Sequence, residues 1–211
     1  MAMLCTAAAP EAPANGALEH PHYFELLIVD TSSEFCSHAA DAFAGVGEVA
    51  IHNAPFAAVP HYDCLVSPGN SLGLPVGNYE QAVLELFGKM PQARVREAIA
   101  ALYPGGVGQP IGSCFLVPTD HPTHRYIAHA PCYPNSPETA YEVMAGLLAA
   151  VEEHNRRVPA GLAVRRLACP GLGTYTGNLH SQHAAQLARG DTVESFRRPF
   201  LYFISIFPYK L

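Results

Sequence analysis

Two glycine-rich loops constrain this chain more than any other feature, because each follows an apolar strand-like segment and precedes a helix-like one. The first loop is Ser67–Asn78, SPGNSLGLPVGN, and the second is Pro170–Asn178, PGLGTYTGN. Around them, short apolar segments alternate with segments of helical period, which is typical of an α/β fold. Ligands of open α/β sheets bind at the carboxyl ends of the strands. We therefore expect both loops to meet at one crevice.

The alternation predicts one domain over residues 23–211, preceded by an Ala/Pro-rich disordered leader over residues 1–22. The aromatic, apolar tail is expected to pack onto this domain. Strands are predicted at Phe24–Val29, Glu48–Ala54, Tyr62–Ser67, Ile111–Pro118, Arg125–Ala130 and Val164–Cys169. Helices are predicted from Ser32 or Ser33 to Ala44, and at Tyr79–Phe87, Pro91–Tyr103, Thr139–Val158 and Leu179–Ala188.

Composition argues against several classes of partner. The formal net charge of the 211-residue chain is -6 and only 14% of its residues are charged, which argues against nucleic acid as a primary ligand. No apolar stretch is long enough to span a membrane. Six cysteines without a C-x-x-C pair indicate buried reduced thiols and a cytoplasmic protein. The eleven histidines show no zinc-type spacing, so we expect no metal and no cofactor, and a monomer.

The first loop also fits the G-x-S-x-G pattern of a serine-hydrolase nucleophile elbow, with Ser71 as the nucleophile. Such an elbow requires a helix directly after the serine. The segment Leu72–Gly77 contains two glycines and a proline, and no helix is expected there. The match is therefore interpreted as accidental, and a serine hydrolase is kept as the third hypothesis.

A cradle for phosphate and sugar accounts for more of the residues in this loop. Gly69, Gly73 and Gly77 allow positive φ and let backbone N–H groups face a ligand. Asn70 offers a donor and an acceptor that suit a ribose hydroxyl. Asn78 is expected to cap the following helix, whose N-terminus favours an anion.

The second loop has a similar composition, with glycines, hydroxyl side chains and an aromatic residue before a predicted helix. A pair of such loops suits a diphosphate with a sugar on each side. Gln81 occupies the N3 position of a capping box that begins at Asn78. The alternative for both loops is that they are only turns.

These motifs, in this order, resemble the macrodomain family, an ADP-ribose-binding module with three α/β/α layers around a mixed sheet. SPGNSLGLPVGNYEQAV is similar to the family's first motif, with Asn70 on its second Asn and Glu80 on its acidic position. RYIAHAP resembles the family strand that ends in His-Ala before a proline, and CPGLGTYTGN resembles its second phosphate loop. The resemblance covers residues 24–190.

The resemblance implies hydrolysis of ADP-ribose from a modified acceptor or of an ADP-ribose derivative, with Asn70 and Glu80 as catalytic residues. It implies that Asp30, at the end of the first strand beside Thr31, accepts from the adenine amino group, although Asp30 is equally a turn residue. The implied ligand-binding residues are Asp30, Thr31, Gly69, Ser71, Gly73, Gly77, Asn78, Tyr79, Gly173, Thr174, Tyr175, Thr176, Gly177 and Asn178.

The chain departs from the family pattern at three places. Gly77-Asn78-Tyr79 replaces the usual Gly-Gly before the acid, the acid is Glu80 rather than Asp, and Tyr175 stands at a glycine position. An aromatic stacking role beside the ribose falls to Tyr175 or Tyr79. These changes keep open a non-catalytic reader of ADP-ribose, in which Glu80 only stabilises the start of a helix.

Overall fold

The fold, obtained as a computed structural model, is described for residues 24–133 and 137–172. The second loop from Gly173 to Asn178, the leader, the helix predicted at Leu179–Ala188 and the aromatic tail lie outside these residues. The described strands are β1 Glu25–Asp30, β2 Val49–Asn53, β3 Cys64–Ser67, β4 Phe115–Pro118, β5 Tyr126–His129 and β6 Arg166–Cys169. The described helices are α1 Ser33–Ala42, α2 Asn78–Phe87, α3 Met90–Leu102 and α4 Pro137–Arg157.

The described strands form one mixed sheet in the order β2-β1-β6-β3-β5-β4. Neighbouring strands are parallel except β4, which runs antiparallel to β5. Strand β6 is the last of the described strands along the chain and lies between β1 and β3, where Leu167 pairs with Leu26 and Ala168 pairs with Leu65. The predicted α/β class and mixed sheet are confirmed.

Helices cover both faces of the sheet. Because successive strand residues point to opposite faces, Leu26 and Leu27 belong to different buried clusters. The cluster around Leu26 contains α4 residues such as Leu147 and the α1 residue Ala39. The cluster around Leu27 contains residues of α2 and α3, among them Val95. The chain therefore has the three-layer α/β/α arrangement that its sequence predicts.

The start of α1 follows the sequence prediction. Ser32 is its N-cap, and its hydroxyl oxygen accepts from the Phe35 backbone N–H at 3.2 Å. The strand predicted at Ile111–Pro118 is wrong in its first half, because a turn occupies those residues. Gly112 takes φ 79°, which breaks the extended backbone, and strand pairing begins only at Phe115.

An ion pair closes the amino edge of the sheet. The Asp63 carboxylate accepts from Arg125 Nη2 at 2.7 Å, and from the backbone N–H groups of Arg165 and Arg166 at 2.7 and 3.0 Å. Asp63 is buried, so these three donors satisfy a charge that burial alone would disfavour. The Asp63 carboxylate therefore has a structural role at the amino ends of the strands.

The sequence also led us to expect no membrane-spanning segment and buried, reduced cysteines. None of the helices that the structure describes is long and apolar enough to cross a membrane. None of the five described cysteines forms a disulfide, and all but Cys114 are buried.

A close backbone contact fixes α4 against the turn before β4. A Cβ atom on Gly146 of α4 would overlap the carbonyl oxygen of Gly112. The contact therefore requires glycine at position 146, even though glycine is a poor helix former.

We expect Gly146→Ala to destabilise the protein by about 1–3 kcal/mol through overpacking, whereas alanine in an open helix position stabilises by up to ~1 kcal/mol. Urea denaturation measures the free energy of unfolding. Gly161→Ala is the matched control, since a Cβ atom there meets nothing within 4 Å. Equal stability of the two variants would show that this contact does not exist.

Candidate functional site

The carboxyl edge of the sheet gathers the residues that the sequence singles out. The parallel strands β1, β6, β3 and β5 lie side by side and end at Asp30, Cys169, Ser67 and His129. The first loop leaves β3 and the second leaves β6, its direct neighbour. The two loops therefore begin at adjoining strand ends, and the second loop is described only as far as Leu172.

Asp30 joins two strand ends through its carboxylate. Its Oδ1 accepts from the Ser32 backbone N–H at 2.8 Å, and its Oδ2 accepts from the Gly171 backbone N–H at 3.1 Å. A Cβ atom on Gly171 would lie 2.9 Å from Asp30 Oδ2 and 2.8 Å from the Phe35 ring, so this approach requires glycine. The turn role of Asp30 is thus observed. Thr31 is exposed beside it.

Asn70 folds the first loop around its own side chain. Its Oδ1 accepts from the backbone N–H groups of Leu72 and Leu74 at 3.0 and 3.1 Å, and its Nδ2 donates to the Leu74 carbonyl at 2.8 Å. Such local bonds are typical of asparagine in turns. The amide that the sequence assigns to a ribose or a water therefore holds the loop in shape.

The backbone of the loop does not present its amides as the sequence predicts. Gly69 N–H donates to the Ser67 carbonyl at 2.9 Å, and Gly73 N–H donates to the Asn70 carbonyl at 3.0 Å. Of the three loop glycines only Gly73 takes positive φ, at 64°. Gly69 and Gly77 are required for a different reason, which is that another side chain packs directly against each of them.

Each of those two glycines abuts the side chain of another residue. A Cβ atom on Gly69 would lie 2.5 Å from His129 Nε2, and one on Gly77 would overlap Glu80 Oε2. His129 belongs to β5 and Glu80 to α2, so the glycine pattern of the loop alone does not predict these contacts.

The first helical turn of α2 differs from the predicted capping box. Gly77, with φ -111° and ψ 167°, is the N-cap, and Asn78 is already helical. The Gln81 side chain donates to the Pro75 carbonyl at 3.2 Å, and its backbone N–H donates to the Gly77 carbonyl at 3.1 Å. The backbone N–H groups of residues 78–80 precede this first helical bond, so they are the amides that α2 can offer an anion.

Glu80 turns its carboxylate back over the start of α2. Its Oε2 lies against Gly77, and the residue is half-buried in the first turn of the helix. A carboxylate in this position interacts favourably with the helix dipole. Burial, and next the charge of Glu80, raise the pKa of the Cys132 thiol to about 11.

Tyr79 packs against the core of the domain instead of presenting its ring to a ligand. Its hydroxyl donates to the Val66 carbonyl at 2.8 Å, and its ring centroid lies 5.1 Å from that of Phe56. Burial raises the pKa of its phenol well above the ordinary value. Of the two predicted stacking residues, Tyr175 lies outside the described residues.

Ser71 lacks the geometry of a nucleophile elbow. A turn follows it, and the next helix begins only at Asn78. Its carbonyl accepts from the Gln109 backbone N–H at 2.7 Å. Among the described residues, no histidine hydrogen-bonds to its hydroxyl.

His129 and Gln109 are the residues that the sequence did not single out for the site. Both are buried, with exposed fractions of 3% and 1%, and His129 Nδ1 lies 2.6 Å from Gln109 Oε1. Burial lowers the pKa of His129 to about 4. The one available signal was a histidine at the end of an apolar strand, in RYIAHAP.

A small cavity of about 30 Å³ lies beneath the first loop. Such a volume holds one or two water molecules and no nucleotide. The polar side chains around it include Glu80, Gln92 and His129, and Gly69 and Gly73 border it. Within residues 24–133 and 137–172, no cluster of three or more His, Cys, Asp or Glu side chains has the geometry to hold a metal ion.

Comparison with solved structures finds similarity to macrodomains. The DarG macrodomain of Thermus aquaticus is 22% identical with a TM-score of 0.48, and covers 67% of this chain and 87% of its own length. The DarG macrodomain of Mycobacterium tuberculosis is 20% identical with a TM-score of 0.47, and covers 65% and 82%. A Trypanosoma brucei macrodomain in complex with ADP-ribose is 19% identical with a TM-score of 0.42, and covers 65% and 53%.

No protein-family model matches the sequence, and comparison with curated proteins finds no match either. The TM-scores of the three structures lie below 0.5, so they assign neither ligand nor activity to this chain.

The role of Asn70 in shaping the loop is open to a direct test. We expect Asn70→Ala to speed hydrogen exchange of the Leu72 and Leu74 amides about tenfold or more, because two hydrogen bonds to Asn70 Oδ1, together worth ~1–3 kcal/mol, are lost. NMR hydrogen exchange measures both amides. Asn78→Ala is the control, since the Asn78 side chain is exposed at the start of α2. Unchanged exchange in Asn70→Ala would contradict the loop-shaping role.

Proposed function

We propose that this chain binds ADP-ribose across the carboxyl ends of β1, β6 and β3. The observation that carries the proposal is the bond from the Gly171 backbone N–H to Asp30, which joins the start of the second glycine loop to the end of β1. The first glycine loop begins on β3, on the other side of β6. Two loops on adjoining strands suit a ligand with two linked phosphates.

The ligand is chosen by the resemblance of the sequence motifs to the macrodomain family. The solved structure of Trypanosoma brucei contains ADP-ribose, and the same ligand is the one to test here. The adenosine half is assigned to Asp30 and Thr31. The diphosphate is assigned to the backbone amides of residues 78–80 and of Gly173–Gly177.

We assign hydrolysis of an ADP-ribosyl linkage to the same site. Glu80 acts as the general base and takes a proton from a water. The water oxygen forms a bond to the carbon that joins ADP-ribose to the acceptor, the bond from that carbon to the acceptor breaks, and the departing acceptor takes up the proton from Glu80. Asn70 contributes by holding Leu72–Leu74 beside the ribose. A water is sufficient as the nucleophile, so Ser71 is given no covalent role.

A non-catalytic reader is the second candidate, and one observation favours it. Glu80 Oε2 lies against Gly77 at the start of α2, where the carboxylate stabilises the helix. A glutamate that stays there supports binding without turnover. In either case we place the chain in the cytoplasm as a monomer, with an ADP-ribosylated acceptor as its partner.

Glu80→Gln separates hydrolase from reader. For a hydrolase we expect kcat on a mono-ADP-ribosylated protein to fall by ~10²–10⁴. The Kd for ADP-ribose should stay equal or decrease, because one negative charge near the diphosphate is removed. Calorimetry gives Kd and release of ADP-ribose gives kcat.

Glu85→Gln on the exposed face of the same helix is the matched control. A wild-type protein that binds ADP-ribose and releases none is the reader. A wild-type protein that does not bind ADP-ribose at all contradicts both candidates.

The adenine role of Asp30 is tested with a ligand that lacks the adenine amino group. If Asp30 accepts from that group, the wild-type protein binds ADP-ribose about tenfold more tightly than the hypoxanthine analogue, since one hydrogen bond to a charged acceptor is worth ~1.5–3 kcal/mol. Asp30→Asn should remove this preference. A preference that survives in Asp30→Asn means that Asp30 serves only the turn to Ser32 and the bond to Gly171.

A further inference from the structure

The buried pair of Gln109 and His129 has a fixed hydrogen-bond polarity. Gln109 Nε2 donates to the carbonyl oxygens of Ser113 and His129 at 3.1 and 3.2 Å. Carbonyl oxygens only accept, so both amide hydrogens are used and Gln109 Oε1 must face the imidazole. Because Oε1 also only accepts, His129 Nδ1 carries the proton in the 2.6 Å contact between them.

The other ring nitrogen of His129 is therefore a bare acceptor. Burial lowers the pKa of His129 to about 4, so the ring is neutral near pH 7 and Nε2 has a lone pair. Nε2 points at Gly69, where a Cβ atom would come within 2.5 Å. Among the hydrogen bonds of the described residues, none supplies a donor to this atom.

Glu80 brings a second acceptor to the same place. Glu80 and His129 both line one cavity of about 30 Å³ beneath the first loop. The rest of its lining consists of glycines and apolar residues, such as Gly73 and Val83, and of two further polar residues, Ser67 and Gln92. Two acceptors around a space of this size fit one molecule that donates two hydrogen bonds, and water has that size and chemistry.

We propose that Glu80 and His129 Nε2 form a two-acceptor seat for one water molecule, and that Gln109 is the positioning residue that fixes the His129 tautomer. A water that donates one hydrogen to each acceptor has its oxygen lone pairs turned away from both. The catalytic consequence rests on the proposed hydrolysis, since an oriented water beside Glu80 is the nucleophile that Glu80 deprotonates. The proton passes to Glu80, and His129 keeps its own.

The backbone of Gln109 links this seat to the first loop. Its N–H donates to the Ser71 carbonyl at 2.7 Å, while its side chain holds His129. A single residue thus fixes both the loop above the cavity and the histidine beside it. This explains why a polar side chain is buried here at 1% exposure.

The tautomer is tested on the free wild-type protein by the ¹⁵N NMR signals of the His129 ring near pH 7. We expect a protonated Nδ1 and an unprotonated Nε2. A crystal structure at high resolution should show a water within hydrogen-bond distance of Nε2 and of the Glu80 carboxylate. A proton on Nε2, or a cavity without that water, overturns the two-acceptor seat.

Two substitutions at position 129 test the catalytic consequence. Gln retains an acceptor near the ε position, so His129→Gln should keep kcat within about tenfold of wild type, whereas His129→Phe should lose ~10²-fold or more. The Kd for ADP-ribose should be unchanged in both. An equal fall in kcat in the two variants, or weaker ADP-ribose binding with kcat unchanged, would mean that His129 has only a structural role.

Gln109→Glu tests the positioning residue. A carboxylate still accepts from Nδ1 but stabilises the doubly protonated ring, so Nε2 becomes a donor and a water there can no longer donate to both His129 and Glu80. We expect a protonated Nε2 signal and a fall in kcat without a change in Kd. Unchanged ring signals and kcat would contradict the role of Gln109. Should the wild-type protein hydrolyse nothing, the proposed hydrolysis is wrong, and the ring signals alone uphold or overturn the seat.

Discussion

The parallel pairing of β6 with both β1 and β3 is the constraint on which the rest of this structure depends. It places a strand that comes late in the sequence at the centre of the sheet, and it brings the two glycine loops to adjoining strand ends. The Asp30 carboxylate then ties β1 to Gly171 across that edge. At the opposite edge Asp63 is satisfied by Arg125 and two backbone amides, which leaves the carboxyl edge for a ligand.

The central chemical question concerns the charge of Glu80 at the start of α2. A helix N-terminus attracts the diphosphate of a nucleotide and a carboxylate for the same electrostatic reason, so the two compete for the amides of residues 78–80. The cavity offers Glu80 another interaction, because the proposed water between its carboxylate and His129 would keep the charge solvated. A glutamate reaches this cavity from the helix with one methylene more than an aspartate, which connects the altered acid of the sequence to the geometry.

Local patterns in the sequence were sufficient for most of the described helices and strands and for the strand ends from which both loops start. The α/β class, the Ser32 cap and the edge with both loops follow from periodicity, capping chemistry and strand–loop order. The side-chain roles were harder, because one residue type serves several purposes. Asn70 fits a ribose as well as it fits its own turn, and Gly69 and Gly77 are required by His129 and Glu80 rather than by positive φ. Gln109 and His129 are 20 positions apart and come into contact only in the folded chain, so no sequence spacing predicts their hydrogen bond.

Backbone amide chemical shifts during titration with ADP-ribose test the central claim most directly, because they locate the ligand without any substitution. We expect large shifts for Gly171 and for residues 78–80, at the two loop ends, and unchanged signals for Asp63 and Arg125 at the amino edge. Saturable shifts confined to the amino edge, or no saturable shifts at all, would contradict it.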